Sequence, residues 1–317
     1  MRVLIGYDGS EHSDAAIHDL QLAGLPSDSE VLIASVGDLL MSSPELSEIL
    51  KQAAPSARIA SGLTNAQTHA ERVTKEAEDA AARAEALVRE LFPGWKVTAD
   101  VMIGTPAWVL IDVADKWKAD LVVVGSQGRS ALQRLFLGSV SKRVVTDSHS
   151  SVRIGRPRRR TDLNAPPRLI IGVDGSPAAE HAIYTVGQRV WPDGTEVRLI
   201  AVDDGVKPTQ IASRLPAATR MINSYYHERE SRVSAMLDWA ATELKAIGLQ
   251  TSVVTEKGDP KSVILQNAAD WHADSIFVGT RDLKSGLERF RLGSVSTAIV
   301  NNAQCSVEVV RAAETER

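Results

Sequence analysis

Short apolar runs rich in β-branched residues alternate along the chain with longer stretches of helical periodicity. Such runs are typical of strands that are buried on both faces of a sheet. The alternation of strand and helix predicts a parallel sheet covered by helices on both faces. The predicted strands are 2–6, 31–36, 97–103, 121–124 and 152–154 in the first half of the chain, and 168–173, 197–202, 251–255, 276–278 and 307–310 in the second.

Two of the intervening stretches carry a clear helical stripe. Their apolar residues are three and four positions apart, which puts them on one face and predicts a helix packed on the sheet. Phe92-Pro93-Gly94 ends the first stretch and Gly248 ends the second. The stripes are Val73, Ala77, Ala80, Ala84, Leu87 and Leu91, and then Val233, Leu237, Ala240, Leu244 and Ile247.

The second half of the sequence repeats the first. Arg2–Ser10 returns as Arg168–Ser176, Leu137–Ser141 returns as Leu292–Ser296, and two further matched blocks lie between them in the same order. Four blocks in one order indicate a tandem duplication. We therefore predict two doubly wound, five-stranded α/β domains, which we delimit as 1–157 and 168–317 with a linker at 158–167.

The two copies differ in length, and a basic segment joins them. Asp8 to Gly125 spans 117 positions and Asp174 to Gly279 spans 105, a difference of 12. We expect the extra residues as a loop around 40–65, which is rich in Ser, Pro and Gly. The cluster Arg156–Arg160 predicts a solvated linker, with docking of an acidic partner or nucleic acid as the alternative.

Composition excludes several protein classes. Of the 317 residues 44% are hydrophobic and 24% are charged, which fits a globular core and argues against disorder. The net charge of −4 gives no electrostatic reason to expect nucleic acid or an anionic membrane as partner. No apolar run reaches the length of a membrane span, and the N-terminus lacks the features of a secretory signal. We expect a cytoplasmic protein.

Metal and thiol chemistry also lack a basis in the sequence. Cys305 is the single cysteine, which excludes an intrachain disulfide and a thiolate cluster. We expect a buried, inert thiol, with redox sensing as the alternative. The seven histidines are scattered and show no metal-ligand spacing.

A glycine-rich loop follows the fourth strand of the first half. Gly125, Gly128, Gly138 and Ser139 define the frame Gly-x2-Gly-x9-Gly-Ser, and a helix is predicted over 140–147. Glycines let the backbone come close to a ligand, and a helix N-terminus offers N–H groups to phosphate oxygens. A glycine-rich turn without a ligand is the alternative.

Polar side chains near this frame can add to such a site. The hydroxyls of Ser139 and Ser141 can donate hydrogen bonds. Arg129, Lys142 and Arg143 can offset phosphate charge if they face the ligand.

The turn after the first strand supports two interpretations that can both hold. Asp8-Gly9 forms the turn and Ser10 caps the next helix, as Ser176 would in the second copy. Alternatively, Asp8 lies where the strand order reverses and accepts hydrogen bonds from a ligand or positions a metal on phosphates. Val36, at the end of the second strand, offers an apolar edge to a flat base.

Asp8, the segment Gly104-x-Pro106 and the glycine frame together resemble the universal stress protein A family. Both copies resemble it, so the likeness covers nearly the whole chain in a tandem form. It implies a Rossmann-like fold with strand order 3-2-1-4-5. It also implies that the two domains pair through their last strands, here 152–154 and 307–310; a homodimer is left open.

The resemblance further implies ATP as the ligand, with Mg²⁺ as a candidate companion. In the first copy, it assigns Asp8 to the nucleoside and Val36 to adenine. The implied ribose and phosphate residues are Gly125, Ser126, Gly128, Arg129, Gly138, Ser139, Val140 and Ser141. Their counterparts in the second copy, with Asp8 and Val36 included, are Asp174, Val202, Gly279, Gly293 and Ser294.

The second copy departs from the glycine frame. Asp282 stands at the second glycine position, and Gly279 to Gly293 spans 14 positions where Gly125 to Gly138 spans 13. A carboxylate beside a phosphate repels it. We therefore expect nucleotide mainly in the first copy.

The leading hypothesis is an ATP-binding regulatory protein of the stress response. A nucleotide-free interaction scaffold of the same fold is one alternative, and a slow ATP hydrolase or self-phosphorylating protein is another. The sequence has neither a Walker motif nor a nucleophile elbow, so we predict no catalytic residue.

Overall fold

A computed structural model describes residues 1–38, 55–128, 137–160, 162, 165–205, 216–280 and 292–311. Its strands are β1 Arg2–Gly6, β2 Glu30–Gly37, β3 Lys96–Ile103, β4 Leu121–Gly125, β5 Ser151–Gly155, β6 Arg168–Val173, β7 Glu196–Asp203, β8 Gln250–Lys257, β9 Ser275–Gly279 and β10 Ser306–Val310. Its α-helices are α1 Glu11–Asp19, α2 Pro55–Leu91, α3 Pro106–Trp117, α4 Ser139–Asp147, α5 Pro177–Gly187, α6 Pro216–Ala246, α7 Pro260–Asp270 and α8 Ser294–Asn302.

All ten strands belong to one sheet, in the order β3-β2-β1-β4-β5-β10-β9-β6-β7-β8. Strands within each half are parallel and follow the order 3-2-1-4-5, which confirms the predicted fold class. Each of the ten predicted runs lies within an observed strand. The two five-stranded sheets are continuous, because β5 pairs antiparallel with β10 at Val152↔Val309 and Ile154↔Val307.

Helices on both faces of the sheet explain the unbroken apolar strands. In β1, Val3 and Ile5 pack into one cluster with α1 and α2, whereas Leu4 packs into another with α3 and α4. These three side chains are at most 1% exposed. Successive residues of a strand point to opposite faces, so a sheet covered on both sides requires apolar residues at every position.

The first extra segment is partly helical. Residues 55–65 belong to α2, so the prediction of a loop is wrong there, and 40–54 lie outside the described residues. Pro55 opens the helix, a position where its missing N–H costs nothing. A glycine inside a helix costs only about 1 kcal/mol, so Gly62 does not interrupt a 37-residue helix that is anchored further along by its buried stripe.

Asp274 holds the basic linker against the second half. Its side chain is 1% exposed and accepts from Arg158 Nε at 2.9 Å, from Arg160 Nη1 at 3.2 Å and from the Arg168 N–H at 2.9 Å. The prediction of a solvated linker is therefore wrong at Arg158 and Arg160, whose side chains are only 8% and 15% exposed, whereas Arg159 is exposed as predicted. A buried carboxylate must be paired, and the linker supplies the cations.

None of the helices in the described ranges combines the length and apolar character that crossing a membrane requires.

Two glycines let α1 lie close against the sheet. A Cβ on Gly155 of β5 would stand 2.4 Å from Ala16 Cα, and a Cβ on Gly125 of β4 would stand 2.8 Å from the His12 carbonyl oxygen. Both neighbours are helix backbone, which cannot move aside as a flexible side chain can. The approach of α1 therefore depends on the absence of a side chain at these positions.

Gly155→Ala should destabilise the protein by about 1–3 kcal/mol, because the added methyl group overlaps α1. Gly187→Ala is the matched control, since the nearest atom to its new Cβ is 3.8 Å away. Urea unfolding measures both free energies. Equal stability of the two variants would contradict the close approach of α1.

Cys305 is buried, as expected, with 7% of its surface exposed. Burial raises the pKa of its thiol from 9.0 to about 12, with Arg156 opposing the rise. The folded protein thus keeps the thiol neutral over a range of pH in which the unfolded chain forms a thiolate.

A thiol reagent at pH 8 should label Cys305 at least about 100-fold more slowly in the folded protein than in urea, because the thiolate is the reactive form. The free energy of unfolding should also fall as pH rises above 9.0, since only the unfolded state then releases the proton. A Cys305→Ala variant, which lacks this titration, is the control. Complete labelling of the folded protein within minutes would contradict the assignment.

Candidate functional site

A cavity of about 720 Å³ opens at the carboxyl ends of β1, β2 and β4. The helices α2, α3 and α4 complete its walls. This is the edge at which the strand order reverses, where open α/β sheets bind their ligands. The predicted site residues that line it are Asp8, Val36, Gly125, Gly128, Gly138, Ser139, Val140 and Ser141.

The turn after β1 both caps α1 and faces the cavity. Asp8 Oδ1 accepts from the Ser10 N–H at 3.0 Å, and Ser10 Oγ accepts from the Ser13 N–H at 3.2 Å. The predicted cap is confirmed. The second half has the same turn, with Asp174 Oδ1 accepting at 3.0 Å from the N–H of Ser176, which caps α5. Asp8 therefore stabilises the turn that leads into the cap and also lies on the cavity wall.

The glycines of the frame have different structural causes. Gly125 is required by the contact with α1, so close approach to a ligand is not needed to explain it. Gly128 lies against Asp8: a Cβ there would stand 2.9 Å from Asp8 Oδ2. The Gly138 N–H donates to the Ser126 carbonyl at 2.8 Å, which brings the two ends of the loop together.

The N-terminus of α4 is aimed at the cavity. Gly138 is its N-cap and provides no side-chain hydrogen bond, and Ser139 and Val140 of the first turn line the cavity. Amide groups and the helix dipole make such an end attractive to an anion. Ser141 Oγ donates to the Gly125 carbonyl at 2.6 Å, so its proton ties α4 to the end of β4.

Three cations and one serine of the predicted set are not on the described cavity wall. Arg129 lies outside the described residues. Ser126 Oγ lies 3.4 Å from His12 Nδ1 and is not among the lining residues, and Lys142 is not either. Arg143 stacks over the Trp108 ring at 4.4 Å, and its Nε lies 2.6 Å from Asp147 Oδ2.

Helix α2 contributes a wall that the sequence analysis assigned only to the core. Arg72 and Glu76 lie on the cavity and form an ion pair at 2.6 Å, beside the small residues Ala77 and Ala80. The sequence signal for this wall was the opposite charges of Arg72 and Glu76, which lie on either side of Val73 at the start of the apolar stripe. Which end of a stripe faces a cavity depends on the packing of the helix, and the stripe itself does not reveal it.

Tyr7 fixes the floor of the cavity. Its hydroxyl donates to Asp14 Oδ1 at 2.5 Å, and Arg83 of α2 pairs with the same carboxylate. Burial raises the pKa of the Tyr7 phenol above its ordinary range, and the hydrogen bond to Asp14 adds to the rise. The phenol therefore remains neutral and links β1 to α1.

Five residues were predicted for the second half, and their part in a second site stays a prediction. Neither the 720 Å³ cavity nor a second one of about 340 Å³, beside His181, Tyr184 and Trp239, includes them. The residues concerned are Asp174, Val202, Gly279, Gly293 and Ser294.

A metal ion has no dedicated protein cage in the part of the chain that is described. No group of three or more His, Cys, Asp or Glu side chains is arranged there to hold one. Asp8, Asp38 and Glu76 each line the cavity. A cation bound there would need oxygen ligands from another source, such as phosphate and water.

Comparison with known proteins finds the same family twice along the chain. The model of the universal stress protein family matches residues 1–154 and 167–311. A universal stress protein of Mycobacterium tuberculosis is 26% identical over 217 residues, which cover 68% of this chain and 69% of that protein. One of Methanocaldococcus jannaschii is 34% identical over 82 residues, 26% of this chain and about half of that protein, 47%.

A solved structure shares the two-copy architecture. The crystal structure of a universal stress protein from Archaeoglobus fulgidus matches with a TM-score of 0.62 at 19% identity, covering 98% of each chain. At that identity the likeness concerns the fold alone. Since the family model accounts for both halves, the chain belongs to the universal stress protein family, with two copies of its domain in tandem.

Proposed function

We propose that this protein binds ATP in the cavity of its first half and acts as a regulatory protein of the stress response. The observation that carries the proposal is the convergence of eight predicted residues on one cavity at the N-terminus of α4. The proposal includes that the nucleotide is bound by the domain 1–157. The domain 168–317 pairs with it, and the linker 158–167 joins the two.

The inner part of the cavity suits a flat base. Val36, Leu110 and Val124 supply apolar surface. On α2, the small side chains of Ala77 and Ala80 leave space for the base. A volume of about 720 Å³ lies within the range of about 300–1,000 Å³ that is typical of small-molecule sites. Adenine would lie against Val36, as the resemblance to the family implies.

The outer part suits a phosphate chain. The first turn of α4 presents main-chain N–H groups, and Ser139 adds a hydroxyl. Gly128 and Gly138 have no Cβ that would stand between a phosphate and the backbone. Gly128 also lies against Asp8, so the ribose and the phosphates would meet near that carboxylate.

The charge of the cavity favours a metal–nucleotide complex over the bare nucleotide. Among its described lining residues Asp8, Asp38 and Glu76 are acidic, whereas Arg72 is the cation and is already paired with Glu76. A triphosphate beside carboxylates needs neutralising charge. Mg²⁺ coordinated by phosphate oxygens, water and Asp8 would supply it.

The proposed regulation requires that ATP prefer one conformation of the loop 126–138 over another. Residues 129–136 of this loop lie outside the described residues. Partner proteins would then distinguish the ATP-bound form from the ATP-free form at this loop.

Gly138→Val should weaken ATP binding at least about tenfold, because the side chain crowds the phosphate cradle and about 1.4 kcal/mol corresponds to each factor of ten. A Cβ at Gly138 would lie 3.3 Å from Gln127 Cα, whereas one at Gly293 would have no atom of the described residues within 4 Å. Gly293→Val is therefore the matched control and should leave binding unchanged. Isothermal titration with Mg-ATP measures both.

Loss of binding only with Gly293→Val would move the site to the second half. Equal ATP affinity of the two variants would contradict the proposal that the backbone at Gly138 contacts the phosphates. Mass spectrometry of the protein after mild denaturation separates the alternatives further: co-purified ATP supports the proposal, and its absence together with no heat on titration supports a nucleotide-free scaffold.

Ala77→Leu places a larger side chain on the α2 wall of the cavity, and it should fill the base end of the cavity. We expect ATP affinity to fall at least about tenfold, at little cost to the helix, since leucine is a good helix former. Ala82→Leu, on the exposed face of α2, is the control. Unchanged affinity of the Ala77→Leu variant would exclude this part of the cavity as the base site.

Asp8→Asn removes the carboxylate and keeps an acceptor for the Ser10 N–H. Wild-type affinity for ATP should rise with added Mg²⁺, and the variant should lose most of that rise, about tenfold. Titrations with Mg²⁺ and with EDTA test this. An equal Mg²⁺ effect in both proteins would show that Asp8 does not act through the metal.

A further inference from the structure

The junction between the halves lies on an approximate two-fold axis. β5 and β10 pair antiparallel, with Arg153, the middle residue of β5, opposite Glu308, the middle residue of β10. The two residues also occupy equivalent positions in the sequence repeat. Equivalent positions on the axis thus carry opposite charges.

Both central side chains are fully buried, and each is held within its own half. Arg153 donates from Nε to Asp19 Oδ2 at 2.6 Å, and Arg189 donates from Nη1 to Glu308 Oε2 at 2.9 Å. Asp19 and Arg189 are 5% and 9% exposed. Each half therefore brings one carboxylate and one guanidinium to the junction.

Three hydrogen bonds of the Arg153 and Arg189 side chains cross between the halves. Arg153 Nη1 donates to Glu308 Oε2 at 3.2 Å, and its Nη2 donates to Ser275 Oγ at 2.7 Å. Arg189 Nη1 donates to the Ala23 carbonyl at 2.8 Å. These bonds satisfy groups that have no access to water.

A second copy could not supply these partners to the same half. If β5 paired with β5 of another copy about the same axis, Arg153 would meet Arg153, and β10 on β10 would set Glu308 against Glu308. The repeat also places Leu121 where Ser275 stands, so Arg153 would lose its hydroxyl acceptor. Arg153 would keep Asp19 of its own half, but a second like charge beside it and buried N–H groups left without an acceptor are both unfavourable.

We infer that four buried charges determine which strand edges pair. With them, the edge of each half pairs with the edge of the opposite half and not with the same edge of another copy. The four residues are Asp19, Arg153, Arg189 and Glu308. The charges select the partner, and the apolar strand contacts would suffice to hold it. Replacing a complete buried set by neutral residues is often tolerated, whereas removing one member is not.

The test uses the full-length chain with a reporter for like pairing. In a β5–β5 pair, residue 152 of one copy would lie opposite residue 154 of the other, whereas in the native junction they face Val309 and Val307. Val152→Cys with Ile154→Cys and Cys305→Ala should then form a disulfide between two chains only when β5 pairs with β5. These three substitutions are made in the protein with its four native charges and in a variant, the amide set, in which all four charges are replaced. The amide set is Asp19→Asn, Arg153→Gln, Arg189→Gln and Glu308→Gln.

After refolding at high protein concentration under mild oxidation, non-reducing gels should show at least about threefold more chain–chain disulfide with the amide set than with the charged set. An apolar set, Asp19→Leu, Arg153→Met, Arg189→Met and Glu308→Leu, should behave like the amide set. Equal cross-linking in all folded proteins would overturn the inference. It would also be overturned if neither neutral set refolds cooperatively, because the charges would then be needed for stability itself.

Discussion

The burial of four charges at the β5–β10 junction is the constraint that decides which elements of the two halves meet. A single charge left there without its partner would cost about 3–5 kcal/mol, a large share of the stability of a typical domain. Arg153 and Glu308 therefore have to be buried together, and Asp19 and Arg189 have to be close to them. This requirement brings α1 and β5 of one half together with β10 and the end of α5 of the other.

The position of α1 also shapes the carboxyl edge of the first half. Gly125 and Gly155 allow α1 to approach β4 and β5, so the turn at Asp8 lies directly beside the loop that follows β4. On the other side Ala77 and Ala80 keep α2 from filling the same edge, and a cavity remains.

Local patterns in the sequence were sufficient for the elements of the fold. Continuous apolar runs predicted the strands because both faces of the sheet are covered, and Ser10 and Ser176 predicted helix starts because a cap needs only neighbouring residues. The error at 55–65 arose because a helix anchored by its own buried stripe continues through a segment that contains Ser and Gly, whereas the error at the linker arose because a distant group decided the outcome. Arg158 and Arg160 look solvated in isolation, but Asp274, more than a hundred residues away, buries them.

The sequence by itself determined the duplication, the strand order implied by the family resemblance, and the candidate residues of the glycine frame, since each depends on short segments or on their repetition. The tertiary structure alone decided that Arg72 and Glu76 of α2 border the same cavity as Asp8, and that Arg153 meets Glu308. Such pairs join residues far apart in the chain. The packing of helices on the sheet and the register of two strands bring them together. No local pattern of residues specifies that packing or that register.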